Sequence, residues 1–114
     1  ISVVANLKFG NFEAILTGDI PPKEIGEIIG KGKIHDVEYL KVPHHGSKNG
    51  LTLELLETAK PEIAVISVGK KNSYGHPHKE VLKMLEGYAL RVLRTDEEGD
   101  VEVVSDGKRW WVIN

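Results

Sequence analysis

The sequence contains no cysteine, which excludes disulfides and thiolate metal ligands and fits either redox compartment. It also lacks any apolar run near the roughly 20 residues that a membrane-spanning helix needs. The longest apolar stretches, residues 63–68 and 110–113, have the length of strands. No charged-then-apolar leader opens the chain, and its first residue is Ile1 rather than Met. The expectation is a soluble piece cut from something longer. A large charge of one sign is missing too: the formal net charge is -2. No bulk positive field therefore draws the chain to nucleic acid, and a nucleic-acid role would rest on local contacts or a bound metal.

What is present describes a folded chain. Hydrophobic residues make up 40% and charged residues 28%, a balance that can bury a core. The 114 residues suffice for one domain at most. Alternation predicts a strand over 2–9, a turn at Gly10-Asn11 and a return strand over 12–17. Pro21-Pro22 opens a short helix with Ile25, Ile28 and Ile29 on one face and Gly30 as its stop. A strand over 37–42 follows, then a helix capped by Thr52, with Leu55, Leu56 and Ala59 inward and Pro61 closing it. Residues 63–68 read as a central strand covered on both faces. Pro77 suits the first turn of a third helix, with Gly87 as its stop. Strands over 91–95, 101–104 and 110–113, with turns at Glu98-Gly99 and Asp106-Gly107, complete the order ββαβαβαβββ. Alternating strands and helices argue for an α/β class.

Three polar clusters follow strand ends: Gly18-Asp19, His44-His45-Gly46-Ser47, and the stretch from Asn72 through Tyr74 to His76-Pro77. Strand ends are where layered α/β folds gather their binding loops. A carboxylate and two or three imidazoles suit zinc, manganese or iron. Each cluster also has a plainer explanation. Gly-Asp after a strand is usually a turn, paired loop histidines are often surface residues, and Gly-His-Pro usually precedes a helix cap. His78 reads as a solvated helix residue, and Trp110-Trp111 as packing at a sheet edge.

The three clusters in this order carry a resemblance. "SVVANLKFGNFEAILTGDI", "EYLKVPHHGSKNG" and "PEIAVISVGKKNSYGHPHKEVLKMLEGYALRVLRTDEEGDVEVVSDG" resemble the C-terminal half of the metallo-β-lactamase-like domain of ComEC/Rec2 DNA-uptake proteins. Related free-standing hydrolases are similar as well. The likeness runs nearly the full length. HHGS and SVG…N.YGHP are its specific parts, and the Gly-Asp pair alone is not. The resemblance implies half of an αββα sandwich spanning 1–114 and a divalent metal centre, two ions of zinc or manganese. It assigns metal ligation to Asp19 and His45, and catalytic roles to His44 and His76. His44 and His45 are interchangeable at this level. It places Ser47, Lys48, Asn72 and Tyr74 against the substrate.

One departure is large. The family's first half carries an HxHxDH-type ligand motif, and nothing in this sequence matches it. One carboxylate and one or two imidazoles fall short of the three or four protein ligands of a stable zinc site. The expected function is a metal-dependent phosphodiesterase or nuclease of DNA uptake, with an incomplete site in this chain and little activity by itself. The alternatives are a free-standing hydrolase of another ester or phosphodiester, and an inactive DNA- or protein-binding module. Expected partners are DNA or another phosphodiester, the missing N-terminal half or a partner chain, a membrane channel domain in the parent protein, and a second copy in a homodimer. The expected location is the extracellular face of the membrane for a ComEC-like protein, and the cytoplasm otherwise.

Overall fold

The computed structural model describes residues 4–70, 75–89 and 91–113. Strands β1 (Ala5–Phe9) and β2 (Phe12–Leu16) form an antiparallel hairpin. Helix α1 (Pro22–Gly30) leads to β3 (Tyr39–Lys41), and α2 (Leu53–Ala59) to β4 (Ile63–Ile66). Helix α3 (Lys79–Tyr88) leads to β5 (Arg91–Arg94). A single turn, α4 (Thr95–Glu98), and the hairpin β6 (Glu102–Ser105) and β7 (Trp110–Ile113) complete the order.

The main sheet has the order β1-β2-β3-β4-β5, with β2 through β5 parallel. Each crossover moves one strand in the same direction. Parallel connections share one hand, so the three helices fall on one face. The core beneath them includes Ile15, Ile25, Leu40, Leu55, Leu56, Ala64, Ile66, Val81 and Leu85. Each fully buried aliphatic side chain there contributes about 1.5–3 kcal/mol. β4 alternates between two cores. Ala64 and Ile66 face the helices, while Ile63 and Val65 meet Leu93, Val101, Trp110 and Val112 on the opposite face. That second core explains why β4 is apolar at every position.

Several expectations need correction. The last three expected strands are present and fall in two sheets: β5 joins the main sheet, while β6 and β7 form a separate hairpin that covers part of its second face. Residue 95 does not end a strand. Thr95 starts α4 instead, and its hydroxyl donates to Val68 O and accepts from Val68 N, at 2.9 and 2.8 Å. Pro77 lies two residues before α3, with His78 at the N-cap. Gly87 does not stop that helix, which runs to Tyr88. The C-terminus of α2 turns on Lys60 in the left-handed region, one residue before Pro61. Thr52 does cap α2, accepting from Leu55 N at 3.1 Å. The order expected for the elements therefore lacks α4 and the short turn at Pro43–Gly46.

β1 is exposed along its whole length, including Leu7 and Phe9. Its turn is braced by the turn of the distal hairpin: Asn11 N donates to Gly107 O at 2.6 Å. Gly10 has φ +59, and a Cβ placed there would run into the Gly107 carbonyl. Gly32 has φ +69 but open space around it. Gly32→Ala should therefore cost about 1–2 kcal/mol, the price of a left-handed Cβ alone. Gly10→Ala should cost clearly more, because the backbone of residue 107 must also move. Urea denaturation of the two variants checks this, and equal losses would show that the contact between the turns contributes nothing.

Candidate functional site

Because β2, β3 and β4 are parallel and in register through Leu16, Lys41 and Val65, their carboxyl ends lie along one edge. The loops leaving that edge carry the polar clusters. After β2, the buried Thr17 donates its hydroxyl to Lys41 O at 2.6 Å, tying the first loop to β3. Gly18 turns with φ +56 and exposes Asp19.

After β3, the backbone takes an unusual course. His44, His45 and Gly46 have φ of 53, 53 and 82°, a left-handed turn closed by Ser47 N donating to His44 O at 2.9 Å. A side chain at such φ costs about 1–2 kcal/mol. Neighbouring groups over-determine the turn. His44 N donates to Gly18 O at 3.0 Å, which joins it to the Asp19 loop. His78 N donates to Gly46 O at 2.9 Å, which joins it to the segment before α3.

The turn aims its two imidazoles differently. His45 Nδ1 lies 2.8 Å from Ser67 O, the carbonyl just past β4. A carbonyl only accepts, so Nδ1 carries a proton, and in the neutral ring Nε2 keeps its lone pair. That Nε2 lies 3.7 Å from Asp19 Oδ1, with the two side chains 52% and 59% exposed and open to a ligand. Histidines that bind metals commonly donate one ring N–H to a carbonyl, as His45 does to Ser67 O, and so does many a histidine that binds none. His44 turns instead toward His76, with ring centroids 6.0 Å apart. His76 in turn meets His78 edge-on at 4.8 Å.

Asp19, His44, His45, Ser47, Asn49, His76 and His78 line one cleft of about 490 Å³. A second cavity, of about 570 Å³ between α1 and Val4, gathers no imidazole. Ser47 is buried; its hydroxyl accepts from Asn49 N at 3.1 Å. Lys48 turns its backbone N–H to His78 Nδ1, at 2.9 Å. Asn72 and Tyr74 lie outside the described residues. Among the described residues, no group of three or more histidines and carboxylates comes close enough together to hold a metal ion.

Two cleft residues escape a reading of the sequence. His78 is not a solvated helix residue; it is partly buried in the cleft. The HPH spelling was its only signal. Asn49 carries none, since it arrives through the turn after Ser47. Lys41 also bears on the site. Burial holds its ammonium below the usual lysine range, and the Asp19 carboxylate pulls in the opposite direction.

Burial holds His76 below the ordinary imidazole pKa, and the positive charge of His78, His44 and His45 lowers it further. Above the ordinary value of about 6.5, His76 is neutral folded or unfolded and has no effect on stability. Below it, the unfolded chain takes up the proton first. Stability therefore falls with pH until the depressed pKa is passed, and the loss is constant beyond that point. His76→Gln should flatten this part of the curve, as read by urea denaturation between pH 5 and 7.5. An unchanged acid slope would mean that neither burial nor the neighbouring imidazoles depress His76.

No family model matches the chain. Among curated proteins, ComE operon protein 3 of Bacillus subtilis is 39% identical over 101 residues, covering 89% of this chain and 13% of that protein. Recombination protein 2 of Haemophilus influenzae is 35% identical, covering 82% and 12%. Competence protein ComA of Neisseria gonorrhoeae is 31% identical, covering 89% and 15%. The chain thus spans a small fraction of each relative's length. It is a homologue of one segment of these bacterial competence and recombination proteins.

Proposed function

We propose that this chain is the part of a metal-dependent hydrolase that carries Asp19 and His45, and that the whole enzyme is a phosphodiesterase or nuclease of DNA uptake. The carrying observation is the pairing of Asp19 Oδ1 with a His45 Nε2 whose tautomer is set by Ser67 O. The relatives' names, competence and recombination, support the setting. In that setting the partners are DNA, a further segment of the parent protein and a membrane channel domain, and the site faces outside the cell. Among the described residues, no helix is long and apolar enough to cross a membrane.

The donors fit a zinc or manganese ion in kind but not in number. A carboxylate oxygen and a neutral imidazole are suitable ligands, and a stable zinc site needs three or four. The remaining ligands of a one- or two-ion centre would come from elsewhere in the longer protein. When bound, such an ion makes hydroxide available near neutral pH. The chain's own residues then have separate tasks. Asp19 and His45 hold the ion, and Ser67 O fixes the His45 ring. His76, kept neutral by burial and its neighbours, can take a proton, with His44 beside it as the group facing substrate. Ser47, Lys48, Asn72 and Tyr74 would contact the phosphodiester.

Calorimetric titration with Zn²⁺ tests the ligand pair. The chain should bind weakly, and Asp19→Asn or His45→Asn should each reduce the affinity about tenfold or more, at least the loss seen on removing a mere supporting partner. In the parent protein's soluble domain, Asp19→Asn should lower Mn²⁺- or Zn²⁺-dependent cleavage of DNA at least about 100-fold, as read by product release. Binding and cleavage indifferent to both substitutions would leave a module that holds DNA or protein without chemistry.

A further inference from the structure

His78 makes two bonds to the turn that carries the candidate metal ligand. Its backbone N–H donates to Gly46 O, and its ring Nδ1 accepts from Lys48 N, both at 2.9 Å. The two bonds bracket Ser47 and close the far side of the His44–Gly46 turn. The near side is held by His44 N on Gly18 O and by His45 Nδ1 on Ser67 O. The two segments are also in close packing: a Cβ on Gly46 would lie 2.7 Å from Pro77 Cβ and 3.2 Å from Ile66 Cγ2.

Any residue at position 78 could supply the backbone N–H. The ring contact is particular to histidine. An Nδ1 that accepts must be unprotonated, so the neutral ring carries its proton on Nε2. This is the reverse of His45, where Nδ1 carries the proton. The two rings are locked in opposite tautomers by partners outside the cleft.

We propose that His78 is a positioning residue that acts through the Gly46–Lys48 backbone to hold His45 in its left-handed conformation, with Nε2 facing Asp19. Without the Lys48 bond, one end of the turn is free to relax toward ordinary φ. Such relaxation swings the His45 ring away from Ser67 O and from Asp19. The functional meaning rests on the reading of His45 as a metal ligand; the positioning itself does not.

The test is nitrogen-15 NMR of the chain in metal-free buffer, with His78→Phe as the variant. Phenylalanine keeps the ring shape and the backbone N–H but has no acceptor. In the unsubstituted chain, a scalar coupling across the N–H···N bond should link Lys48 N to His78 Nδ1, and His45 should carry its proton on Nδ1. In H78F the coupling should vanish, exchange of the Lys48 amide should rise about fivefold or more, and the Nδ1-protonated form of His45 should lose population. A proton on His78 Nδ1 in the unsubstituted chain overturns the proposal, even if H78F does not fold. So does an H78F that folds and leaves the His45 tautomer unchanged. The Zn²⁺ titration above is read separately. If zinc binding ignores Asp19 and His45 while the NMR result holds, the metal reading fails and the positioning stands.

Discussion

The direction of the strands governs everything chemical in this molecule. Four strands run parallel in sequential order, so every crossover must return over the same face. Two consequences follow. The helices share one face and bury one core. The carboxyl ends of β2, β3 and β4 come level along one edge, as the register of Leu16, Lys41 and Val65 requires. Asp19, His45 and Ser67 are far apart in sequence, yet each follows one of these ends. Their meeting is a property of the topology before it is a property of any side chain.

On that edge, a costly backbone conformation is kept because several loops hold it at once. Two successive histidines in the left-handed region are unfavourable alone. Here the turn is bonded to the loop after β2, to the end of β4 through the His45 ring, and to the segment before α3. The strain separates the two imidazoles, sending one to the carboxylate and the other to the histidines beside α3. Extended backbone would also point adjacent side chains apart, but toward the two faces of the sheet rather than into one cleft.

Concentrating four imidazoles around a small cleft has an electrostatic result. Burial, and after it the charge of His78, His44 and His45, discourages His76 from taking a proton. His76 is therefore held toward its neutral form. Its lone pair remains available for a proton, and the Asp19 carboxylate lines the same cleft. At a net charge of -2, local arrangement rather than a bulk field must attract an anionic substrate.

The α/β class was legible because it depends on local pattern. The all-apolar run of β4, the Thr52 cap of α2 and the glycines of the turns are visible without any partner. The Gly18-Asp19 and His44-His45 clusters stood out for the same reason, placed directly after apolar strands, while only the family resemblance singled out Asp19 and His45 as ligands. Other features were not legible because they depend on contacts remote in sequence. His78 looked like any polar residue at the start of a helix, and only the approach of Gly46 and Lys48 makes it part of the cleft. The covering of β4 on its second face by β6 and β7 was equally hidden, since a hairpin's alternation does not say which sheet it will pack against. Sequence by itself determined the seven strands and three main helices and which residue types can do chemistry, because hydrophobic period and turn chemistry act over a few residues. Tertiary structure alone decided that His45 faces Asp19 while His44 faces His76, because that choice is made by hydrogen bonds from three separate loops.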